Sequence, residues 1–263
     1  MFIDSHCHLD FPEFASRLED VQAEMRAANV THALVAGVEV TAFPALYALI
    51  EPYTNLYCSV GLHPGVDGNV TTSVDKLLRY TALPKVVAVG ETGLDYYHVS
   101  SEAEWQRARF RTHIAVACAS GKPLIVHMRD ATEDTLRILR EEGADRVGGV
   151  MHCFTADWAA AEVALALGFY ISFSGVVTFK NAKAVKEAAQ RVPLDRLLIE
   201  TDSPYLAPMP YRGRYPNQPA WVVHVAREIA RLRDMPLDEV GWASSANFFR
   251  LFRLTPAGEK KDA

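Results

Sequence analysis

The chain has 263 residues, 49% of them hydrophobic and 22% charged, with a formal net charge of −5. Those proportions describe an ordinary globular protein with a large core, and the acidic balance argues against an extended basic surface for gripping duplex nucleic acid. A local phosphate pocket remains compatible with that charge, because bound divalent ions dominate the field around them.

Cys7, Cys58, Cys118 and Cys153 are too dispersed for a CxxC motif or a disulfide framework, which suits a reducing compartment. The amino terminus does not read as a secretion signal, and no run approaches the roughly 18 apolar residues of a membrane span. A cytoplasmic protein without membrane contact is expected. Without a Pro-rich or Ser/Gly-rich linker, residues 1–256 read as one domain, with 257–263 as a disordered tail.

In chain order, Phe2 to Leu9 reads as a strand in which alternation puts Asp4, His6 and His8 on one face and Ile3, Cys7 and Leu9 on the other. Further strands are expected at His32 to Gly37, Leu56 to His63, Val86 to Leu94, Pro123 to Met128, Gly148 to Phe154, Tyr170 to Gly175 and Leu197 to Asp202. Helices fall between them, at Glu102 to Ser120, Thr132 to Glu142 and Asp157 to Leu167 among others, and Asn29, Gly121, Gly143 and Gly168 serve as terminators. Strand and helix alternating eight times, with no glycine-rich phosphate turn, predict an α/β fold of the (β/α)8 barrel type. Pro219 to Phe252 reads as two helices broken near Met235-Pro236. The second, with Trp242, Phe248, Phe249, Leu251 and Phe252, is expected to cap the barrel as core.

The carboxyl ends of barrel strands form the active face. They carry His6 and His8, His63, Glu91, His127, His152, and Glu200 with Asp202. Imidazoles and carboxylates crowded into one mouth need a counter-charge, and neutral imidazole is a good ligand for zinc-like metals. Two divalent ions, Zn²⁺, Mn²⁺ or Mg²⁺, suit this donor set, with Glu91 bridging. His6, His8 and Asp202 fall to one ion, and His127 and His152 to the other. Cys7 and Cys153 face away by alternation, and Glu200 is expected to orient a ligand instead of serving as one.

The stretches Asp4-Ser5-His6-Cys7-His8-Leu9, Gly61-Leu62-His63-Pro64, Gly90-Glu91-Thr92-Gly93-Leu94-Asp95, His152-Cys153-Phe154 and Glu200-Thr201-Asp202-Ser203-Pro204-Tyr205 closely resemble the TatD family of metal-dependent hydrolases and deoxyribonucleases. The resemblance runs from Phe2 to about Leu254 and includes Ile171-Ser172-Phe173-Ser174-Gly175 and Asn247-Phe248. It implies a distorted barrel, a dinuclear centre on His6, His8, Glu91, His127, His152 and Asp202, and hydrolysis of DNA phosphodiesters from the 3′ end of single strands. Two departures stand out. Met128 replaces a serine common in relatives but points away from the metals, and Arg212 to Pro219 makes a loop one residue longer on the active face.

On this reading Asp202 orients or deprotonates the attacking water, and His63 contacts the phosphate or leaving group. Arg129, Arg212 and Arg214 are candidates for neighbouring phosphates, and Tyr205, Tyr211 and Tyr215 for stacking a terminal base. Single-stranded DNA or a short nucleic acid is the expected partner, with no obligate protein partner. An amide, lactone or other ester hydrolase is the alternative. Many dinuclear barrels of that kind use a modified lysine on the fourth strand, where this chain has Glu91 and only Lys85 nearby. A non-catalytic binding protein is disfavoured by the complete ligand set.

Overall fold

Eight parallel strands lie side by side in sequence order: β1 (Phe2–Cys7), β2 (Val30–Val35), β3 (Leu56–Val60), β4 (Val86–Asp95), β5 (Leu124–Arg129), β6 (Gly149–Met151), β7 (Phe169–Phe173) and β8 (Leu197–Ile199). This computed structural model describes residues 1–255, so the tail expected at 257–263 lies outside the described residues. Helices α1 (Pro12–Ala15) and α2 (Leu18–Ala27) follow β1, and α3 (Phe43–Ile50), α4 (Val74–Thr81), α5 (Glu104–Ser120), α6 (Thr132–Glu141), α7 (Trp158–Ala166) and α8 (Lys183–Arg191) each follow one strand. The chain ends in α9 (Val222–Arg233) and α10 (Leu237–Leu251). The expected (β/α)8 barrel is therefore present. Asn29 and Gly121 end their helices at φ 58° and 67°, left-handed values that asparagine and glycine tolerate best.

The seam between β1 and β8 closes only at the active face. There Asp202 N–H donates to the His6 carbonyl at 2.9 Å and His8 N–H donates to the Ser203 carbonyl at 2.9 Å, and Cys7 bridges Ser203.

Strand residues serve two layers. Val35, Val89, Val126, Ile171 and Ile199 pack towards the helices, while Ile3, Leu34, Ile125, Tyr170 and Leu198 fill the barrel with Phe248 and Phe249 of α10. The last helix thus plugs the amino-terminal end, as expected, with one correction. Trp242 is 60% exposed, because α10 packs through Val240, Ser244, Phe248 and Leu251, and Trp242 lies off that stripe.

Simple alternation also fails at β1. From Asp4 to Cys7 the strand advances three residues while β2 advances two, from Ala33 to Val35. This bulge shifts the phase. Ile3 consequently belongs to the interior cluster, and Asp4 turns to Thr201, accepting its backbone N–H at 2.8 Å and its hydroxyl at 2.5 Å. His6 and His8 still share a face opposite Cys7. Among the described residues, no helix is long and apolar enough to cross a membrane.

Candidate metal centre

Glu91 stands at the centre of the barrel mouth, 3% exposed. A second bulge delivers it: β4 advances three residues from Val89 to Thr92 while β5 advances two, from Leu124 to Val126. Its two carboxylate oxygens face different groups. Oε2 lies 3.3 Å from His6 Nε2 and 3.9 Å from His8 Nε2. Oε1 lies 2.9 Å from His127 Nδ1, 2.9 Å from His152 Nε2 and 3.3 Å from His63 Nε2. Asp202 Oδ1 completes the first side, 3.4 Å from His8 Nε2 and 3.8 Å from His6 Nε2.

The outer nitrogens of three imidazoles also meet oxygens. His8 Nδ1 meets the Ala36 carbonyl at 3.3 Å, His127 Nε2 meets Asp95 Oδ2 at 3.1 Å, and His152 Nδ1 meets Glu200 Oε1 at 3.1 Å. None of these oxygens can donate, and neither can the carboxylates on the inner side, so each ring stands between acceptors; with a metal ion on the inner nitrogen, the hydrogen would sit on the outer one. The inner nitrogens then present lone pairs to carboxylates that also carry only lone pairs. Such an arrangement requires a cation, a proton or a metal ion, between the facing atoms. His6 strengthens the case for metal: it is fully buried, neither ring nitrogen has a hydrogen-bond partner, and burial followed by the charge of His152 lowers its pKa towards the neutral form. Among the described residues, three overlapping groups bring their donor atoms close enough that they could hold an ion, namely His6 with His152 and Asp202, His6 with His8 and Glu91, and His63 with Glu91 and His127.

His63 differs from the other imidazoles. Its Nδ1 accepts from the Gly65 N–H at 2.9 Å, so the neutral ring carries its hydrogen on Nε2 and donates towards Glu91. That makes it a poor ligand and a good donor, although it stands as close to Glu91 as His6 does.

Burial alone would push the Glu91 carboxyl up, but the imidazoles of His152, His63 and His6 outweigh it and hold the pKa well below the usual range. Burial would lower His152, yet Glu91 and Glu200 raise it well above an ordinary histidine. In both cases the preferred form is one that a bound cation could replace or reinforce.

The cleft above these residues has a volume of about 1060 Å³. Arg129 and Tyr205 line it, as the sequence suggests, but Arg212, Arg214, Tyr211 and Tyr215 do not. Arg212 instead lies over the Phe179 ring at 4.4 Å, Arg214 over Tyr211 at 5.4 Å, and Tyr211 stacks on Trp221 at 4.1 Å. The longer loop folds its cations onto its own aromatic neighbours. Glu200 is fully buried and accepts from His152 and from the Cys153 N–H at 2.7 Å, the orienting position anticipated for it. Asp95 escaped the sequence reading. Alternation from Glu91 through Gly93 to Asp95 was the signal that could have found it. Phe11, stacked on His8 at 4.9 Å, gave no such signal.

A family model described as TatD related DNase matches residues 3–253. The chain belongs to the TatD family. Among TatD relatives, YcfH of Escherichia coli strain K12, described as an uncharacterized metal-dependent hydrolase, is 46% identical over 255 residues and covers 96% of both chains. YabD of Bacillus subtilis strain 168, described in the same words, is 43% identical over 256 residues, covering 97% of this chain and all of its own. The crystal structure of the E. coli TatD homologue YjjV superposes with a TM-score of 0.90 at 32% identity, covering 97% of this chain and 98% of that one. As a TatD protein, this chain is a metal-dependent hydrolase.

Proposed function

We propose that this TatD protein is a dinuclear phosphodiesterase that shortens single-stranded DNA from the 3′ end, in the cytoplasm. The observation that carries the reading is the division of the Glu91 carboxylate between two sets of lone-pair-bearing donors. His6, His8 and Asp202 would hold one divalent ion with Glu91 Oε2, and His127 and His152 the other with Oε1. The family description as a DNase supports a nucleic-acid substrate, and four free cysteines suit a reducing compartment.

When bound, divalent ions supply positive charge that polarises a phosphoryl oxygen and acidifies water. Everything else falls to the chain. Glu200, Asp95 and the Ala36 carbonyl hold the outer nitrogens of His152, His127 and His8, so that the inner nitrogens are aimed into the mouth and made more basic towards a cation. Asp202 keeps Oδ1 on His6 and His8; Oδ2 has no protein partner among the described residues and is free to accept a proton from an attacking water. His63, with Nε2–H pointing into the mouth, donates to a phosphate oxygen or to the leaving group.

The test uses metal-stripped protein, with Zn²⁺, Mn²⁺ and Mg²⁺ restored singly and end-labelled single-stranded DNA followed beside Asp202→Asn. A ladder shortening from one end, metal-dependent and at least about a hundredfold slower in the variant, is expected. Two ions bound per chain with DNA left intact would overturn the nuclease reading, and amide or lactone hydrolysis would take its place.

A further inference from the structure

Arg129 is the single arginine or lysine among the residues lining the cleft. Its side chain makes no ion pair with any carboxylate of the described residues and donates no hydrogen bond to them, its guanidinium meeting Tyr97 alone. Its guanidinium lies 4.0 Å over the ring of Tyr97, which is itself 63% exposed and lines the same cleft. A guanidinium stacked on an aromatic face keeps its edge donors free, five N–H groups in a planar fork that fits a phosphate.

The placement of this pair is built into the metal centre. Asp95 Oδ2 accepts from His127 Nε2, and the same carboxylate accepts the backbone N–H groups of Tyr97 at 3.0 Å and His98 at 2.9 Å and meets His98 Nδ1 at 2.9 Å. One side chain therefore orients a metal-facing histidine and folds the turn that presents Tyr97. On the other side, Arg129 follows His127 by two positions on β5 and pairs in register with Asp95. At the rise of an extended strand its backbone lies about 6.6 Å beyond that of His127. Arg212 and Arg214, spent on Phe179 and Tyr211 outside the cleft, offer no equivalent.

We infer that Arg129, held over Tyr97, is a second phosphate subsite that takes the phosphodiester adjoining the one being hydrolysed, making the enzyme prefer substrates with at least two phosphates in a row. This inference rests on the nuclease reading above and narrows its substrate class to oligonucleotides. A nucleoside ester or a lone phosphodiester would leave the Arg129 fork empty.

Two measurements test it. The first is kcat/KM of metal-loaded enzyme on a thymidine trinucleotide, with two phosphates, against a dinucleotide, with one. The wild type should favour the trinucleotide by about tenfold or more, and in Arg129→Gln that preference should collapse to within about twofold, since the neutral amide cannot make the charge-assisted contact to the second phosphate. Tyr97→Leu, which removes the ring under the guanidinium, should lose most of the preference, and Tyr97→Phe should keep it. The second is binding of a labelled oligothymidine to metal-free protein across a salt series. The slope of log affinity against log salt should fall by about 0.7 in Arg129→Gln, the loss of one phosphate contact on a single strand. A trinucleotide preference that survives Arg129→Gln, or an unchanged salt slope, overturns the subsite. A wild type that shows no trinucleotide preference overturns it too. If the wild type hydrolyses neither oligonucleotide, the nuclease reading has failed and the subsite falls with it.

Discussion

Glu200 shows how a residue that never touches substrate can set the chemistry. Its Oε1 accepts from both His152 Nδ1 and the Cys153 N–H, so it determines which nitrogen of His152 faces Glu91 and stiffens the backbone beside it. Glu200→Gln keeps an acceptor but loses the charge, and should weaken metal affinity about 10- to 100-fold while leaving the fold intact, as measured by competition with a chromophoric chelator. Unchanged affinity would mean that His152 is oriented by packing alone. The residues gathered at the mouth were legible in the sequence as polar groups at strand ends, most of them following an apolar run. Their hydrogen-bonding partners were not: the Gly65 N–H that leaves His63 to donate through Nε2, and the Glu200 carboxylate that holds His152 Nδ1, are brought to the far side of each ring only by the folded chain.

At the scale of an element, α5 fastens the loop that carries His63. The Arg109 guanidinium reaches the carbonyls of Val66 at 2.7 Å, Asp67 at 2.8 Å and Val70 at 2.9 Å, Gln106 Oε1 accepts the Asp95 N–H at 2.9 Å, and His113 Nε2 accepts the Leu62 N–H at 3.0 Å. His113 is fully buried, and burial lowers its pKa from 6.5 to about 4. The folded protein keeps this ring neutral, whereas the unfolded chain takes up a proton below about pH 6.5. Stability linked to His113 is therefore complete above pH 6.5 and lost as pH falls towards 4, by about 3 kcal/mol in all. Urea denaturation of metal-stripped wild type and His113→Gln should show the two stabilities converging by about that amount between pH 7 and pH 4. A gap that stays constant would mean that His113 does not titrate in this way. The helix itself was visible in the sequence, ending at Gly121. Its polar seam was not, because Gln106, Arg109 and His113 look like any buried-face residues until the loop they hold is in place. The bulges in β1 and β4 were hidden for a related reason: an inserted residue leaves the apolar run unchanged and alters only its phase, so Asp4 and Ile3 were assigned to the wrong faces.

For the molecule as a whole, the order of eight strands and the barrel could be read from spacing, since each strand-helix unit must return the chain to the same end of the sheet. The plug could be read as well, but which aromatics it uses depends on the helix phase. Phe248 is fully buried and Trp242 is 60% exposed. Phe248→Ala should cost about 3–5 kcal/mol and Trp242→Ala no more than about 0.5 kcal/mol in thermal or denaturant unfolding. Similar losses at both positions would place Trp242 in an interface in solution.

The seam between the first and last strands is held by Asp202 N–H on the His6 carbonyl, His8 N–H on the Ser203 carbonyl, and the Asp4–Thr201 pair, whose members are 197 residues apart in sequence. The side chains on either side of that seam are the ones that would share an ion. The centre is thus also a latch: whatever binds it clasps the two edge strands of the sheet, and loading the site and closing the ring become one event. Stripping the metal should speed amide hydrogen exchange at His8 and Asp202 by about tenfold or more while leaving Ile125, on β5 far around the ring, unchanged.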